Sequence, residues 1–394
     1  MTATHQSHSS HSSTRNCPRR VHRRGLLGKR GASSLTVGAV TVAAAVALPV
    51  ALPSDAASSG TATAQEAPQS SAQPDFRGEV TGGAALVQET KDALEPGYRH
   101  NMAVAKIDGD NVTFGGVGAD ENTEFEIGSI TKTFTAGLFA DSIERREVAP
   151  STTLGEVWPD LDGKVADITL ESLATQRSGL PRLPPAPEDP VDQASYVASL
   201  YSPQDPYPWS DEEIVESLHS TPVGEQEPEY SNYGFAVLGQ ALSTVTGQSY
   251  ADLVRDRITE PLGLDDTYVP ESAEGLSHGW IAPGIPSDPW TLQGSASAGA
   301  IRSTAEDIST WIRAVRDGEA PGSDAKTPRE PYDEGESIGW AWITEHGQDS
   351  DVTWHNGVTG GFASFAGFNT GSGEGVVVLS DTATTVDSAT SLIS

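Results

Sequence analysis

The sequence has 394 residues, of which 36% are hydrophobic, enough for one large folded domain or two modest ones. Its formal net charge is −31, with 55 acidic against 24 basic residues, so binding to the phosphate backbone of a nucleic acid is unfavourable. Cys17 is the single cysteine and precedes the first apolar stretch, which excludes disulfides, thiolate metal sites and a cysteine nucleophile from the rest of the chain.

The N-terminal region has the three parts of a secretory signal. A basic stretch, "RVHRRGLLGKR", is followed by an apolar stretch and then by small residues near Ala56. We therefore predict a signal peptide over residues 1–56, with Arg23-Arg24 resembling the twin-arginine type, and a secreted, extracellular protein without a stable membrane anchor after cleavage. The alternative is an uncleaved anchor, which the prolines near the end of the apolar stretch disfavour.

Residues 57–84 are rich in Ala, Ser, Gly and Pro, and we predict a disordered linker there. The histidines of "HQSHSSHSS" lie in the predicted leader, where they are typical of a low-complexity tail rather than of a metal site. We expect the folded domain to occupy residues 85–394.

Clear elements alternate with Pro/Gly-rich breaks along that domain. A hairpin is predicted over residues 102–118, and helices are predicted from residue 130, over 232–246 and from Thr304. Three β-rich runs follow near the end, at "VTWHNGV", "GFASFAGFN" and "GEGVVVLSD". Strands at both ends with helices between them predict an α+β fold (an α/β sandwich), in which an antiparallel sheet is flanked by helices and joined by a mostly helical subdomain.

Two long loop-like stretches interrupt this pattern. Residues 177–210 contain eight prolines, and either a functional lid or a plain insertion accounts for them. Residues 316–337 are acidic and rich in Gly and Pro, which favours an insertion.

The segment "FEIGSITKTF" places Lys132 inside an apolar helical pattern, with Ser129 one helical turn before it. Burial lowers the pKa of a lysine, so that its neutral amine can accept the proton of a nearby serine. A serine hydroxyl needs such a base to act as a nucleophile. Because "SDAK" at residues 323–326 repeats the spacing within an acidic loop, the motif alone does not establish catalysis.

Two further motifs follow in order, "YSN" at Tyr230 and "HNG" at His355. With "SITK", they resemble the serine β-lactamase and penicillin-binding-protein family, specifically its class C and D-alanyl-D-alanine carboxypeptidase-like branch. The segments "RSGLP", "TEPLGLDDTYV" and "SAGAIRSTAEDIS" resemble that family too, and the likeness covers roughly residues 98 to 386.

The resemblance implies that Ser129 is acylated and that Lys132 and Tyr230 share the base and acid steps, the lysine charge lowering the pKa of the tyrosine. It implies that Asn232 holds Lys132 and donates to the substrate amide. His355 would line the site beside Tyr230. Three of these residues have plainer alternatives. Tyr230 could simply precede a helix, Asn232 could be a helix cap, and His355 could be an ordinary strand residue.

The strand motif is expected to supply the substrate-binding backbone. The N–H groups of Ser129 and Val358 would form the oxyanion hole, and Gly357 would allow a close approach. β-Lactamases of this branch usually carry lysine at the position of His355 and often threonine at that of Asn356. Asn356 is expected to contact substrate, but the loss of the permanent cation puts carboxylate recognition in doubt.

We therefore predict a serine hydrolase that needs no metal or cofactor and acts on a small-molecule or peptidoglycan-peptide substrate. D-alanyl-D-alanine carboxypeptidase-like chemistry is the first choice. An esterase on the same scaffold comes next, followed by a class C-like β-lactamase. The non-enzymatic alternative is a sensor that binds penicillin or muropeptides without turnover.

Overall fold

A computed structural model describes residues 75–76, 78–186, 190–199 and 202–394. The predicted signal peptide, residues 1–56, lies outside this part of the chain, as does most of the predicted linker. The end of that linker is part of the fold, because residues 80–82 form a sheet strand and a helix begins at Ala84. The boundary after residue 84 was therefore placed too late.

The described strands and helices include the predicted hairpin, the three predicted helices and the three predicted late strands. The strands are β1 (Asp75–Phe76), β2 (Val80–Gly82), β3 (Tyr98–Arg99), β4 (Met102–Asp108), β5 (Asn111–Val117), β6 (Phe125–Glu126), β7 (Trp280–Ala282), β8 (Ile285–Pro286), β9 (Arg302–Ser303), β10 (Glu330–Pro331), β11 (Glu336–Ile338), β12 (Ile343–Glu345), β13 (Val352–Val358), β14 (Ala363–Asn369) and β15 (Gly375–Ser380). The helices are α1 (Ala84–Ala93), α2 (Thr131–Glu144), α3 (Leu154–Val157), α4 (Gly163–Ala166), α5 (Leu170–Ala174), α6 (Pro190–Ser199), α7 (Asp211–Glu216), α8 (Asn232–Thr246), α9 (Tyr250–Val254), α10 (Glu260–Leu262) and α11 (Ala305–Asp317).

The main sheet has nine strands in the order β10-β11-β12-β13-β14-β15-β4-β5-β2. Every neighbouring pair in it is antiparallel. The predicted hairpin is β4–β5, in which Asp108 pairs with Asn111, and the three predicted late strands are β13, β14 and β15. The predicted α+β fold is therefore confirmed.

The two faces of the sheet bury different sets of side chains, as the two-residue period of a strand requires. On one face, Ala105, Leu379 and Ala366 belong to the large core that also contains the apolar residues of α2, α8 and α11. On the other face, Val378 and Phe365 pack with α1 and with the C-terminal turn of Asp387–Leu392. Helices α2 to α10 lie in the sequence between the β4–β5 hairpin and the later strands of the main sheet, where the helical part of the fold is expected.

The N-terminal ends of α8 and α11 are capped by polar side chains. The side chains of Ser231 and Thr304 accept N–H groups in the first turn of each helix. Gly247 ends α8 with a φ of +71°, a left-handed conformation that glycine adopts without steric cost. These caps fix where α8 begins, and hence where the "YSN" residues lie.

Helix α2 is the central element, since it is buried on nearly all sides and not on one face only. Phe134 stacks on Trp311 of α11 with ring centroids 4.4 Å apart, and the Trp311 indole donates to Thr133 Oγ1 at 3.0 Å. Thr135 Oγ1 donates to the carbonyl of Ser297 at 2.7 Å. The polar side chains of this helix are therefore compensated, and its first turn is held rigidly at the edge of the sheet.

Candidate active site

Ser129 lies in a short 3₁₀ turn, Gly128–Ile130, that leads directly into α2. Strand β13 passes beside this turn so closely that a Cβ at Gly357 would lie 2.1 Å from the carbonyl oxygen of Ile127 and 2.8 Å from the nitrogen of Ser129. The close approach expected of Gly357 is thus to the turn that carries Ser129. Glycine is required there because any side chain would push strand and turn apart.

Lys132 is completely buried, and its Nζ has three oxygen neighbours. They are Ser129 Oγ at 2.9 Å, Asn232 Oδ1 at 2.8 Å and the carbonyl oxygen of Ala298 at 2.7 Å. Burial lowers the pKa of Lys132 well below its usual value, and the charge of Arg182 acts in the same direction. Because the carbonyl and amide oxygens can only accept, a neutral amine donates to those two and directs its lone pair at Ser129 Oγ.

Tyr230 approaches Ser129 from the other side, and its hydroxyl donates to Ser129 Oγ at 2.7 Å. Burial raises the pKa of Tyr230, although the bond to Ser129 and the charge of Arg182 oppose the change. The net shift is therefore upward, opposite in direction to the lowering that was expected from the lysine charge. Tyr230 is a protonated phenol in contact with the nucleophile, which makes it an acid before it is a base.

Asn232 is the first residue of α8, and its side chain bridges two walls of the site. Its Oδ1 accepts from Lys132, as expected, while its Nδ2 donates to the hydroxyl of Tyr207 at 2.9 Å. Tyr207 lies in the proline-rich stretch 177–210, and burial raises its pKa to about 12. The second N–H of the Asn232 amide is the group left for the expected donation to substrate.

His355 is buried on β13, with its ring centroid 6.5 Å from that of Tyr230. Its Nδ1–H donates to the carbonyl of Asn356 at 2.6 Å, so Nε2 carries the free lone pair. Burial is the main cause that lowers the pKa of His355 to about 3, and Lys132 in its protonated form acts in the same direction. The imidazole is therefore neutral at pH 7 and supplies no cation.

The backbone expected to form the oxyanion hole lies at the contact between the Ser129 turn and β13. A Cβ at Gly128, whose φ is +50°, would lie 2.9 Å from the nitrogen of Val358. The N–H groups of Ser129 and Val358 thus come from two backbones in close contact, which is the arrangement that the predicted oxyanion hole requires.

Asn356 is the predicted site residue that the structure directs away from Ser129. Residue 356 alternates with His355 along β13, and its register partner Phe365 belongs to the opposite face of the sheet. Its Nδ2 donates to the carboxylate of Asp387 at 3.0 Å. The expected substrate contact by this side chain is therefore not what the structure shows.

Several residues of the site carried no motif in the sequence. The Ala298 carbonyl completes the Lys132 contacts, Tyr207 holds Asn232, and the guanidinium carbon of Arg182 lies 5.0 Å from the centroid of the Tyr230 ring. Tyr332, from the stretch predicted to be an insertion, is close enough to raise the pKa of Tyr230 slightly. The available signals were weak: "RSGLP" and "SAGAIRS" indicated these neighbourhoods without distinguishing the residues.

Two kinds of feature are absent from the residues that the structure describes. No group of three or more His, Cys, Asp and Glu side chains there is arranged to hold a metal ion. Within the same residues, no helix has both the length and the apolar character needed to cross a membrane.

A comparison with protein families matches residues 86–392 to the model described as Beta-lactamase. The chain belongs to this family. The match spans the Ser129 turn, α8 and β13, so the predicted resemblance to serine β-lactamases and penicillin-binding proteins is confirmed.

Individual members of the family are distant from this chain. An unguisins hydrolase of Aspergillus campestris is 26% identical over 322 residues, covering 71% of this chain and 58% of that protein. The chain therefore spans less than two thirds of that relative.

Two solved structures share the fold. A D-stereospecific amidohydrolase from Streptomyces sp. superposes with a TM-score of 0.59 at 22% identity, covering 72% of this chain and 89% of the other. A class C β-lactamase from Rhodobacter sphaeroides superposes with a TM-score of 0.61 at 21% sequence identity. The match covers 76% of this chain and 92% of the other. At these identities the likeness shows the fold alone, and family membership supports a hydrolase.

Proposed function

We propose that this protein is a secreted serine hydrolase that cleaves amide bonds through an acyl-enzyme on Ser129, with D-alanyl-D-alanine-terminated peptidoglycan peptides as its substrate class. The observation that carries the proposal is the pair of contacts on one oxygen. Lys132 Nζ lies 2.9 Å and the Tyr230 hydroxyl 2.7 Å from Ser129 Oγ. A base and an acid are thus both in reach of the nucleophile before substrate arrives.

Acylation follows from the protonation states of these groups. Ser129 Oγ bonds to the substrate carbonyl carbon while its proton passes to the neutral Lys132 amine. The carbonyl oxygen gains negative charge beside the N–H groups of Ser129 and Val358. The C–N bond then breaks as Tyr230 gives its proton to the leaving nitrogen, and the Lys132 ammonium returns a proton to Tyr230.

Deacylation reverses these roles with water in place of the amine. Water adds to the acyl-enzyme carbonyl as its proton passes to the Lys132 amine, which is neutral again after acylation. The ester bond to Ser129 breaks as Oγ regains its proton. No redox partner or metal takes part in either half-reaction.

The protonated Tyr230 hydroxyl, in contact with Ser129 Oγ, favours amides over esters as substrates. An amine is a poor leaving group without a proton, whereas an alkoxide depends on one less. The name of the Streptomyces neighbour, a D-stereospecific amidohydrolase, agrees with an amide bond next to a D-residue. The neutral imidazole of His355 fits the carboxypeptidase side of the family resemblance better than the β-lactamase side.

The full-length protein tests this proposal with diacetyl-L-lysyl-D-alanyl-D-alanine, with D-alanine release as the readout and Ser129→Ala alongside. Release by wild type alone supports the proposal. Intact-protein mass after incubation with benzylpenicillin supplies the second readout, since a lasting adduct only on wild type identifies Ser129 as the nucleophile.

Other outcomes would replace the proposal with its alternatives. Drug consumed without an adduct indicates a β-lactamase. Ester hydrolysis and fluorophosphonate labelling of Ser129 without peptide cleavage indicate an esterase. Ligand binding that is equal in wild type and Ser129→Ala, with no turnover, indicates a sensor. The predicted export is tested separately by sequencing the N-terminus of the secreted protein, expected near residue 57.

A further inference from the structure

Arg182 is held at the entrance to the site by its own backbone. The hydroxyl of Ser231 donates to the carbonyl of Pro181 at 2.7 Å. The Arg182 carbonyl accepts from the N–H of Asn232 at 3.0 Å and from that of Tyr233 at 3.3 Å. The segment that carries Arg182 is therefore fixed against the start of α8, so the root of its side chain has a defined position relative to Tyr230.

The guanidinium group of Arg182 lies over an aromatic ring, and no ion pair is formed with it by the residues that the structure describes. Its central carbon lies 5.0 Å from the centroid of the Tyr230 ring, and the side chain is exposed to solvent. Within residues 78–186, 190–199 and 202–394, no carboxylate forms an ion pair with it. Among those residues the charge of Arg182 has no carboxylate partner, although the chain has 55 acidic and only 24 basic residues.

Buried arginines of the same protein behave differently. Arg302 pairs with Glu124 and Glu126, and Arg257 pairs with Asp141 and Glu147. Those ion pairs hold the fold together. Arg182 has its charge available for a ligand.

The other side chains around Ser129 offer no positive charge. His355 is neutral because its pKa is lowered to about 3, and burial lowers the pKa of Lys132, whose Nζ contacts Ser129, Asn232 and Ala298. Asn356 donates to Asp387 on the other face of the sheet. An anionic substrate would therefore meet its cation on the wall formed by α8 and the segment before it, across from β13.

We propose that Arg182 binds a carboxylate of the substrate on the leaving-group side of the scissile bond, which makes it a specificity-determining residue for the reaction proposed above. The side follows from Tyr230, which gives its proton to the leaving nitrogen and carries the guanidinium on its ring. In a C-terminal amino acid, the carboxylate is attached to the carbon next to that nitrogen. Arginine suits this role because its planar fork can donate two parallel N–H bonds to one carboxylate.

Paired substrates test the assignment. Diacetyl-L-lysyl-D-alanyl-D-alanine and its C-terminal amide differ only in the carboxylate, and kcat/KM is measured for both with wild type, Arg182→Gln and Arg182→Lys. We expect Arg182→Gln to lower the ratio of kcat/KM for the free acid to kcat/KM for the amide at least ten-fold. Arg182→Lys should lower this ratio less than Arg182→Gln does. Lysine keeps the positive charge but lacks the two parallel N–H donors of the guanidinium group. Arg255→Gln, which removes an exposed arginine paired with Asp252 and Asp256, should leave the ratio unchanged.

The ratio separates recognition from indirect effects. Removal of Arg182 also removes a charge that lowers the pKa of Lys132, and that change affects both substrates equally. An equal loss for acid and amide would therefore overturn the proposal and make Arg182 a residue that tunes Lys132 and Tyr230.

A binding measurement makes the result independent of turnover. In the Ser129→Ala background, calorimetry with the same two peptides should show a preference for the free acid that Arg182→Gln abolishes. If no such preference is measured, the assignment is wrong. If wild type cleaves neither peptide, the proposed carboxypeptidase activity is wrong, and the binding preference still decides the role of Arg182.

Discussion

The sequence contains the spacing Ser-x-x-Lys twice, and the two copies have different fates. Residues 129–132 lie at the start of the central helix α2, where Lys132 is completely buried and contacts Ser129, Asn232 and Ala298. Residues 323–326 form a 3₁₀ turn at the surface. There the half-buried Lys326 donates to the carbonyl of Val315 at 2.6 Å, with no hydrogen bond to Ser323 among the described residues.

Local conformation does not separate the two copies, because Ser129 also lies in a 3₁₀ turn. The difference is what converges on each turn. Helix α8, the Ala298 carbonyl and β13 all reach the first copy, and they desolvate its lysine while compensating its N–H groups. The second copy has one partner for its lysine and keeps it partly in solvent, with Asp324 and Asp317 favouring the charged form. A Ser-x-x-Lys motif can be catalytic only where distant segments pack around it and bury its lysine.

Substitution of the two serines should give the largest difference in activity between the two copies of the motif. We expect Ser129→Ala to lose at least about 10⁴-fold in kcat/KM, because no other group can form the acyl-enzyme. Ser323→Ala should stay within about two-fold of wild type. Steady-state hydrolysis measures both variants, and thermal unfolding checks that both fold. Equal losses would mean that the site has been assigned to the wrong turn.

Removal of the two lysines should have the next largest effect. Lys132→Met keeps the volume and apolar stem but removes the base, so kcat should fall about 10³-fold. Lys326→Met should change kcat by less than about two-fold, since it deletes a bond to one carbonyl far from Ser129. A Lys132→Met protein that folds normally and keeps its rate would show that Tyr230 or His355 deprotonates the serine instead.

Much of the fold was predictable because its signals are local. The hairpin at Asp108, the stop at Gly247 and the cap at Thr304 each depend on residues within one turn of the feature. The short strands were harder: β2 lies in a stretch whose composition suggests a linker, and only pairing with β5 makes it a strand. Sequence composition carries no information about such a partner.

The site residues within the three family motifs could be predicted from the sequence, and the site residues outside those motifs could not. Ser129, Lys132 and Tyr230 were expected, and the structure brings them together. Tyr207 and Arg182 were missed because their roles come from loops folded back onto α8. Asn356 was expected to contact substrate, and the alternation along β13 turns it to Asp387 instead. In each case the missing information is which side chains from distant segments share a space.

The burial of Lys132 also predicts how stability depends on pH. Because its folded-state pKa lies well below the usual 10.5, there is a pH window in which the unfolded chain binds a proton that the folded chain does not. In that window the stability of wild type relative to Lys132→Met should rise with pH, by up to about 1.4 kcal/mol per pH unit.

Urea unfolding of both proteins from pH 8 to 10 measures this difference. Lys326→Met is the matched control. Burial lowers the pKa of Lys326 as well, but neighbouring carboxylates oppose the shift and solvent reaches the group, so its slope should be smaller. A stability difference that is flat or falls with pH would show that Lys132 is charged in the folded protein.

The smallest expected effect concerns the Asn232 amide that contacts Lys132. No such amide contacts Lys326 among the described residues. Tyr207→Phe removes the acceptor of Asn232 Nδ2 and leaves the amide that contacts Lys132 free to rotate. One neutral hydrogen bond is worth about 1 kcal/mol, so kcat should fall about five-fold with little change in KM. Tyr233→Phe is the control, since its buried hydroxyl bonds Ser217 at 2.6 Å and does not contact Asn232. If both variants lose the same factor, the loss reflects packing around α8. If only Tyr207→Phe loses activity, the stretch 177–210 contributes to catalysis by fixing the amide that orients the base.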